Sequence, residues 1–82
     1  RELMMVKIRA NADQRESVHA VVQIFRASIV DVAKSSLTIM LTGDQKKLDA
    51  LLALLEEYEI LELARTGITG LARGADDIKY LP

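Results

Sequence analysis

Two apolar stripes at helical spacing, set among four β-rich runs of alternating character, predict an α+β fold with two helices on one face of a four-stranded antiparallel sheet. The order of the segments is β-α-β-β-α-β, the split βαβ arrangement of ferredoxin-like domains. Right-handed crossovers put both helices on the same side of the sheet. The chain has 82 residues, half of them apolar, which suits a single domain with one core over 1–82.

The first strand spans Leu3 to Ala10, with Met4, Val6 and Ile8 facing one way and Met5, Lys7 and Arg9 the other. Asn11-Ala12-Asp13 interrupts it. Asp13 and Glu16, three residues apart, form a capping box that opens a helix reaching about Arg26. Val18, Val21, Val22 and Phe25 give this helix its apolar face. Ser28 to Ala33 and Leu37 to Thr42 are β-rich runs joined by Lys34-Ser35-Ser36, which reads as a hairpin. Gly43-Asp44 ends that hairpin and caps a second helix running to about Glu57, whose stripe is Leu48, Leu51, Leu52 and Leu55. Ile60 to Arg65 is the last strand. Alternation leaves Met5, Lys7, Arg9, Asp31 and Met40 on the sheet's second face, to be solvated or covered by a partner.

Charge and composition narrow the function. Eleven basic and twelve acidic residues give a net charge of −1 without long runs of either sign, unlike a nucleic-acid footprint. There is no cysteine, so neither disulfides nor thiolate chemistry operate and a reducing cytosol is permitted. No uninterrupted apolar span of about 18 residues suggests a membrane helix. A soluble, cytoplasmic protein is expected.

Catalytic groups are scarce. His19 is the only histidine and falls on the helix side away from Val18, Val22 and Phe25, as a solvated residue would; a transition-metal site would want more imidazole or thiolate. Ser35 and Ser36 lack a base and are read as turn residues. Glu56, Glu57 and Glu59 gather at a helix end, where the macrodipole disfavours them, as an acidic rim rather than an acid/base pair. No catalytic, metal or cofactor-binding residue is assigned.

The segment Glu62 to Gly74, E-L-A-R-T-G-I-T-G-L-A-R-G, is the most distinctive. Gly67, Gly70 and Gly74 punctuate it, but it lacks the Lys-Ser/Thr ending and the strand-to-helix setting of a phosphate loop. Two readings stand for Arg65, Thr66, Gly67, Arg73 and Gly74. In one, the glycines turn the chain and Arg65 pairs with a nearby carboxylate such as Glu62 or Asp31. In the other, an arginine-bearing segment of little bulk docks on another subunit.

Four pieces in this order and spacing carry a family resemblance: R-E-L-M-M-V-K-I-R at Arg1 to Arg9, I-F-R-A-S-I-V-D-V around Phe25 to Val32, L-T-G-D-Q-K-K-L-D-A-L-L at Leu41 to Leu52, and L-A-R-T-G with L-A-R-G at the end. The chain resembles the C-terminal domain of the regulatory (small) subunit of acetohydroxyacid synthase, also called acetolactate synthase. The resemblance implies a non-catalytic domain that helps bind and activate the large catalytic subunit. It also implies a share in valine-type feedback on branched-chain amino-acid synthesis. Such subunits carry an N-terminal ACT domain that binds the effector, a half expected to be missing from this chain. Thiamine diphosphate, FAD and magnesium would belong to the catalytic subunit, so no cofactor is expected here. A homodimer or higher homo-oligomer is expected as well. Two other readings remain: a free-standing ACT-like amino-acid sensor, although the loop Ala10-Asn11-Ala12-Asp13 lacks a glycine, and a plain dimerisation module.

Overall fold

The structure, a computed structural model, describes residues 1–66. Its elements are β1 (Glu2–Arg9), α1 (Arg15–Ile24), β2 (Ser28–Val32), β3 (Ser36–Gly43), α2 (Gln45–Leu55) and β4 (Ile60–Arg65). The sheet runs β2-β3-β1-β4 and every pairing in it is antiparallel. This is the ferredoxin-like α+β arrangement expected from the pattern.

Strand β1 sits in the middle. Its alternation divides the sheet, with Met4, Val6 and Ile8 fully buried while Met5 and Lys7 stay half-exposed. Leu37, Ile39 and Leu41 of β3 and Leu63 of β4 join the buried side. Both helices lie over that side. Val18 and Val22 of α1 and Leu48, Leu51 and Leu55 of α2 complete the core, with Val21, Phe25 and Leu52 packed at its margin. Each helix thus buries the stripe that its spacing marks out.

The termini of α1 depart from expectation. The capping box closes on Asn11 and Gln14, not on Asp13 and Glu16: the Gln14 amide donates to Asn11 Oδ1 (3.1 Å) and the Asn11 amide donates to Gln14 Oε1 (3.0 Å). That pair starts a 3₁₀ turn, Ala12–Gln14, so α1 proper opens only at Arg15. An Asn as acceptor with a Gln three residues on satisfies the same orphan amides as the expected pair, two residues earlier. At the other end α1 stops at Ile24, short of Arg26. Arg26 has φ 55° and its amide donates to Gln23 O, while the Ala27 amide donates to Val22 O (2.9 Å). These are the two bonds of a Schellman closure, with an arginine at the left-handed position that usually takes glycine.

The second helix follows its sequence closely. Asp44 is the N-cap and accepts from the Lys47 amide at 2.8 Å, although the helix ends at Leu55 rather than Glu57. Two bulges bend the edge strands. In β2 the register shifts between Ile29 and Asp31, and in β4 Lys7 pairs with Glu62 while Ile8 pairs with Ile60. Arg15, the first residue of α1, reaches over the β2–β3 turn and donates to Ala33 O (2.7 Å) and Lys34 O (3.0 Å).

The core and the left-handed closure can be probed separately. Leu51→Ala should lower unfolding free energy by about 2–5 kcal/mol, whereas Leu54→Ala, on the exposed side of the same helix, should change it by at most about 1 kcal/mol. Urea unfolding monitored by circular dichroism checks both. Arg26→Gly relieves the left-handed conformation and should raise stability by about 1 kcal/mol in the same assay.

Candidate partner-binding site

Strand parity decides which residues each face can offer. On the open face, one row across the sheet reads Asp31, Thr38, Lys7, Glu62 and the next reads Ser28, Met40, Met5, Ala64. Met5 and Met40 are direct cross-strand partners at the centre of the sheet, flanked by small side chains. A shallow groove runs beside them, lined by Met5, Lys7, Val30, Asp31, Thr38 and Glu62. Lys7 Nζ lies 3.4 Å from Glu62 Oε1, and Arg9 Nε donates to Glu59 Oε1 at 2.9 Å. The face is therefore apolar at its middle and bears charges of both signs around it. Val30, pushed outward by the β2 bulge, adds an exposed branched side chain at the margin.

Arg65 is on the other side. It stands opposite Met4 and two residues from the buried Leu63, so its side chain runs beneath the helical layer. Only 5% of that side chain is exposed. Nη1 donates to Asp49 Oδ1 of α2 at 2.7 Å, and Nη2 lies 3.3 Å from Glu2 Oε1 at the start of β1. Neither carboxylate suggested by the sequence is the partner. Glu62 and Asp31 have the opposite parity and face the open side, where Glu62 meets Lys7. Burial works against the charged guanidinium, but the hydrogen bond and charge of Asp49, then those of Glu2, more than offset it and hold the Arg65 pKa above the ordinary arginine value. Among the described residues the buried Nε has no hydrogen-bond partner, so not every donor of the guanidinium is satisfied there.

Thr66 continues the same link. Its amide donates to Leu3 O at 3.0 Å and its Oγ1 accepts from the Leu3 amide at 2.9 Å. Gly67, Arg73 and Gly74 lie outside the described residues. Glu2 and Asp49 are the site members that sequence reasoning missed. The available signal was the spacing Leu63-x-Arg65, which gives the arginine the parity of a core residue and sends it toward α2. His19, Glu56 and Glu57 are exposed, and Ser36 is buried as the first residue of β3 rather than in the turn. Among the described residues no helix is long and apolar enough to cross a membrane.

Known proteins match this chain in sequence and in fold. Residues 1–74 match the family model described as the small subunit of acetolactate synthase. The chain belongs to this family. It is 47% identical over 74 residues to the acetolactate synthase small subunit of Mycolicibacterium smegmatis, covering 90% of this chain and 44% of that protein. With the small subunit of Bacillus subtilis it shares 42% identity, covering 90% of this chain and 43% of the relative. A chloroplastic small subunit from Arabidopsis thaliana is 44% identical over 82 residues, which are 17% of its length. The crystal structure of the acetolactate synthase small subunit from Thermotoga maritima superposes with a TM-score of 0.72 at 36% identity, covering 80% of this chain and 40% of that one. The chain spans less than half the length of these relatives.

The two ion-pair settings should respond differently to loss of the cation. Arg65→Met should cost about 1–3 kcal/mol of unfolding free energy, because the little-exposed Glu2 and the more exposed Asp49 both lose their partner. Lys7→Met, in a half-exposed pair, should cost at most about 1 kcal/mol. A raised pKa means that the Arg65 contribution is complete below the unfolded-state value and fades only as pH climbs through the higher folded-state value. The Arg65→Met penalty should therefore be equal at pH 7 and pH 9 by denaturant titration.

Proposed function

We propose that this chain is a non-catalytic regulatory domain of acetolactate synthase, which helps bind and activate the large catalytic subunit and takes part in valine-type feedback on branched-chain amino-acid synthesis. The observation that carries the reading is the family match over residues 1–74. The structure supplies a surface consistent with it. The Met5–Met40 centre is an apolar patch at the middle of the sheet with Lys7, Glu62 and Asp31 around it, and a second copy of the domain is the occupant proposed for this open face. The segment from Arg65 to Gly74 is then left for the catalytic subunit, with Thr66, Gly67, Arg73 and Gly74 as its proposed contacts. Thiamine diphosphate, FAD and magnesium are assigned to that partner, in the cytoplasm.

The loop after β1 argues for this reading over a free-standing amino-acid sensor. Asn11 and Gln14 place their side-chain oxygens on each other's amides there, so these two acceptors are engaged in capping rather than left open for an ammonium group.

Titration of the chain into a purified acetolactate synthase catalytic subunit tests the assignment. Saturable binding with a rise in acetolactate formation is the expected outcome. If neither this chain nor a full-length small subunit containing it binds or stimulates, the regulatory role is wrong. Met40→Asp, which places a charge at the centre of the proposed interface, should shift the chain toward monomer by at least about tenfold in dissociation constant, measured by sedimentation equilibrium.

A further inference from the structure

The beginning of β1 and the end of β4 lie side by side, at the end of the sheet from which α2 departs, since Glu2 pairs with Gly43 and Met4 with Arg65. Ordinary sheet pairing there is reinforced by side chains from three elements. Arg65 of β4 reaches Asp49 on α2 and Glu2 on β1, and just beyond it Leu3 and Thr66 exchange two hydrogen bonds, one of them through the threonine hydroxyl. The opposite end of the sheet is built differently. There Arg9 and Glu59 share a backbone hydrogen bond (2.8 Å) and Arg15 of α1 holds the β2–β3 turn, but in the Arg9–Glu59 ion pair both side chains are more than half exposed. The Arg65 guanidinium is only 5% exposed, so it has fewer alternative arrangements than an exposed pair: a carboxylate that leaves weakens the compensation of a charge held in a dry position, although Asp49 itself is more than half exposed.

We infer that Glu2, Arg65, Asp49 and Thr66 form a clasp that makes the chain's entry into the domain, its exit from β4 and helix α2 move as one unit. A displacement of β1 at Glu2 is then passed to Thr66 at the end of β4, and to α2, rather than absorbed by fraying of the strand ends. Arginine suits this role because its planar fork addresses two carboxylates from different elements at once, which a lysine point charge does not fix in direction. As a regulatory device the clasp rests on the function proposed above, but its mechanical part does not.

Two arms test the two parts. In the mechanical arm, Glu2→Gln and Asp49→Asn each remove one carboxylate charge, and amide hydrogen exchange is followed by NMR at Leu3 and Thr66. Each variant should speed exchange at Thr66 by roughly fivefold or more, and the double variant should add little to the larger single effect, because the two act through one arginine. Glu59→Gln, at the far end of the sheet, should leave both amides within about twofold of the parent and controls for a change in overall stability. If Asp49→Asn leaves Leu3 and Thr66 unchanged, α2 is not coupled to the chain ends and the clasp is overturned. In the functional arm, the same substitutions are placed in the full-length small subunit assembled with its catalytic subunit, with valine as the probe. The expected result is a several-fold loss of valine inhibition with stimulation retained. Retained inhibition alongside loosened amides overturns the regulatory part. A parent complex with no stimulation at all would instead overturn the proposed function, and the exchange data would still decide whether the clasp is a mechanical unit.

Discussion

Strand β1 is hydrogen-bonded on both sides, to β3 and to β4, and so its two-residue alternation governs both faces of the sheet. A shift of one position would exchange Met4, Val6 and Ile8 for Met5, Lys7 and Arg9 beneath the helices. Burying a lysine and an arginine there without partners would cost far more than any gain from repacking. That asymmetry fixes the register of the central strand, and through it the register of β3 and β4. The open face and the buried arginine are both consequences. Glu62 must point outward toward Lys7, and Arg65, three positions on, must point inward toward α2.

Arg65 is thus a charged group placed where an apolar residue would suffice for packing. Replacing a buried ion pair by hydrophobic residues is often neutral or stabilising, so the pair is weak evidence for stability in itself. Its effect is directional. Asp49 is more than half exposed and Glu2 is nearly covered, so the guanidinium links a wet helix surface to a dry strand end. An apolar contact could fill the same volume without specifying which helix turn meets which strand position. Here the specification falls at the point where the chain leaves the sheet.

Most of the architecture was legible from periodicity. The two helical stripes became the two buried helix faces, and β4 has the limits that its β-rich run suggests. The helix termini were less legible, because several polar residues near Asn11 could cap and only local geometry selects Asn11 with Gln14. The stop at Ile24 was hidden for a related reason: an arginine took the left-handed position where a glycine would have announced it. The bulges at β2 and β4 leave no compositional mark, yet the first one exposes Val30 beside the groove. The partners of Arg65 were missed because proximity in sequence favoured Glu62, whereas strand parity excludes it. Asp49 lies sixteen residues away and Glu2 sixty-three, and such contacts are set by topology rather than by local pattern.

The open face gains its character from what surrounds its methionines. Thioether side chains are flexible and polarizable and adapt to an opposing surface without a single fixed packing. Flanking them with Ser28 and Ala64 leaves room for a partner's side chains, while Lys7, Glu62 and Asp31 set a charge pattern that a wrongly aligned surface would violate. The Lys7–Glu62 pair is half-exposed and so contributes little to the fold, which leaves both groups available to respond to a neighbouring charge. A face of this kind favours selective association over maximal affinity. The dry junction at Arg65 has the opposite balance, with charge committed inside the domain and little left to solvent. The two faces of one sheet therefore differ physically: one side presents adaptable side chains, and the other commits the charge of Arg65 to Asp49 and Glu2.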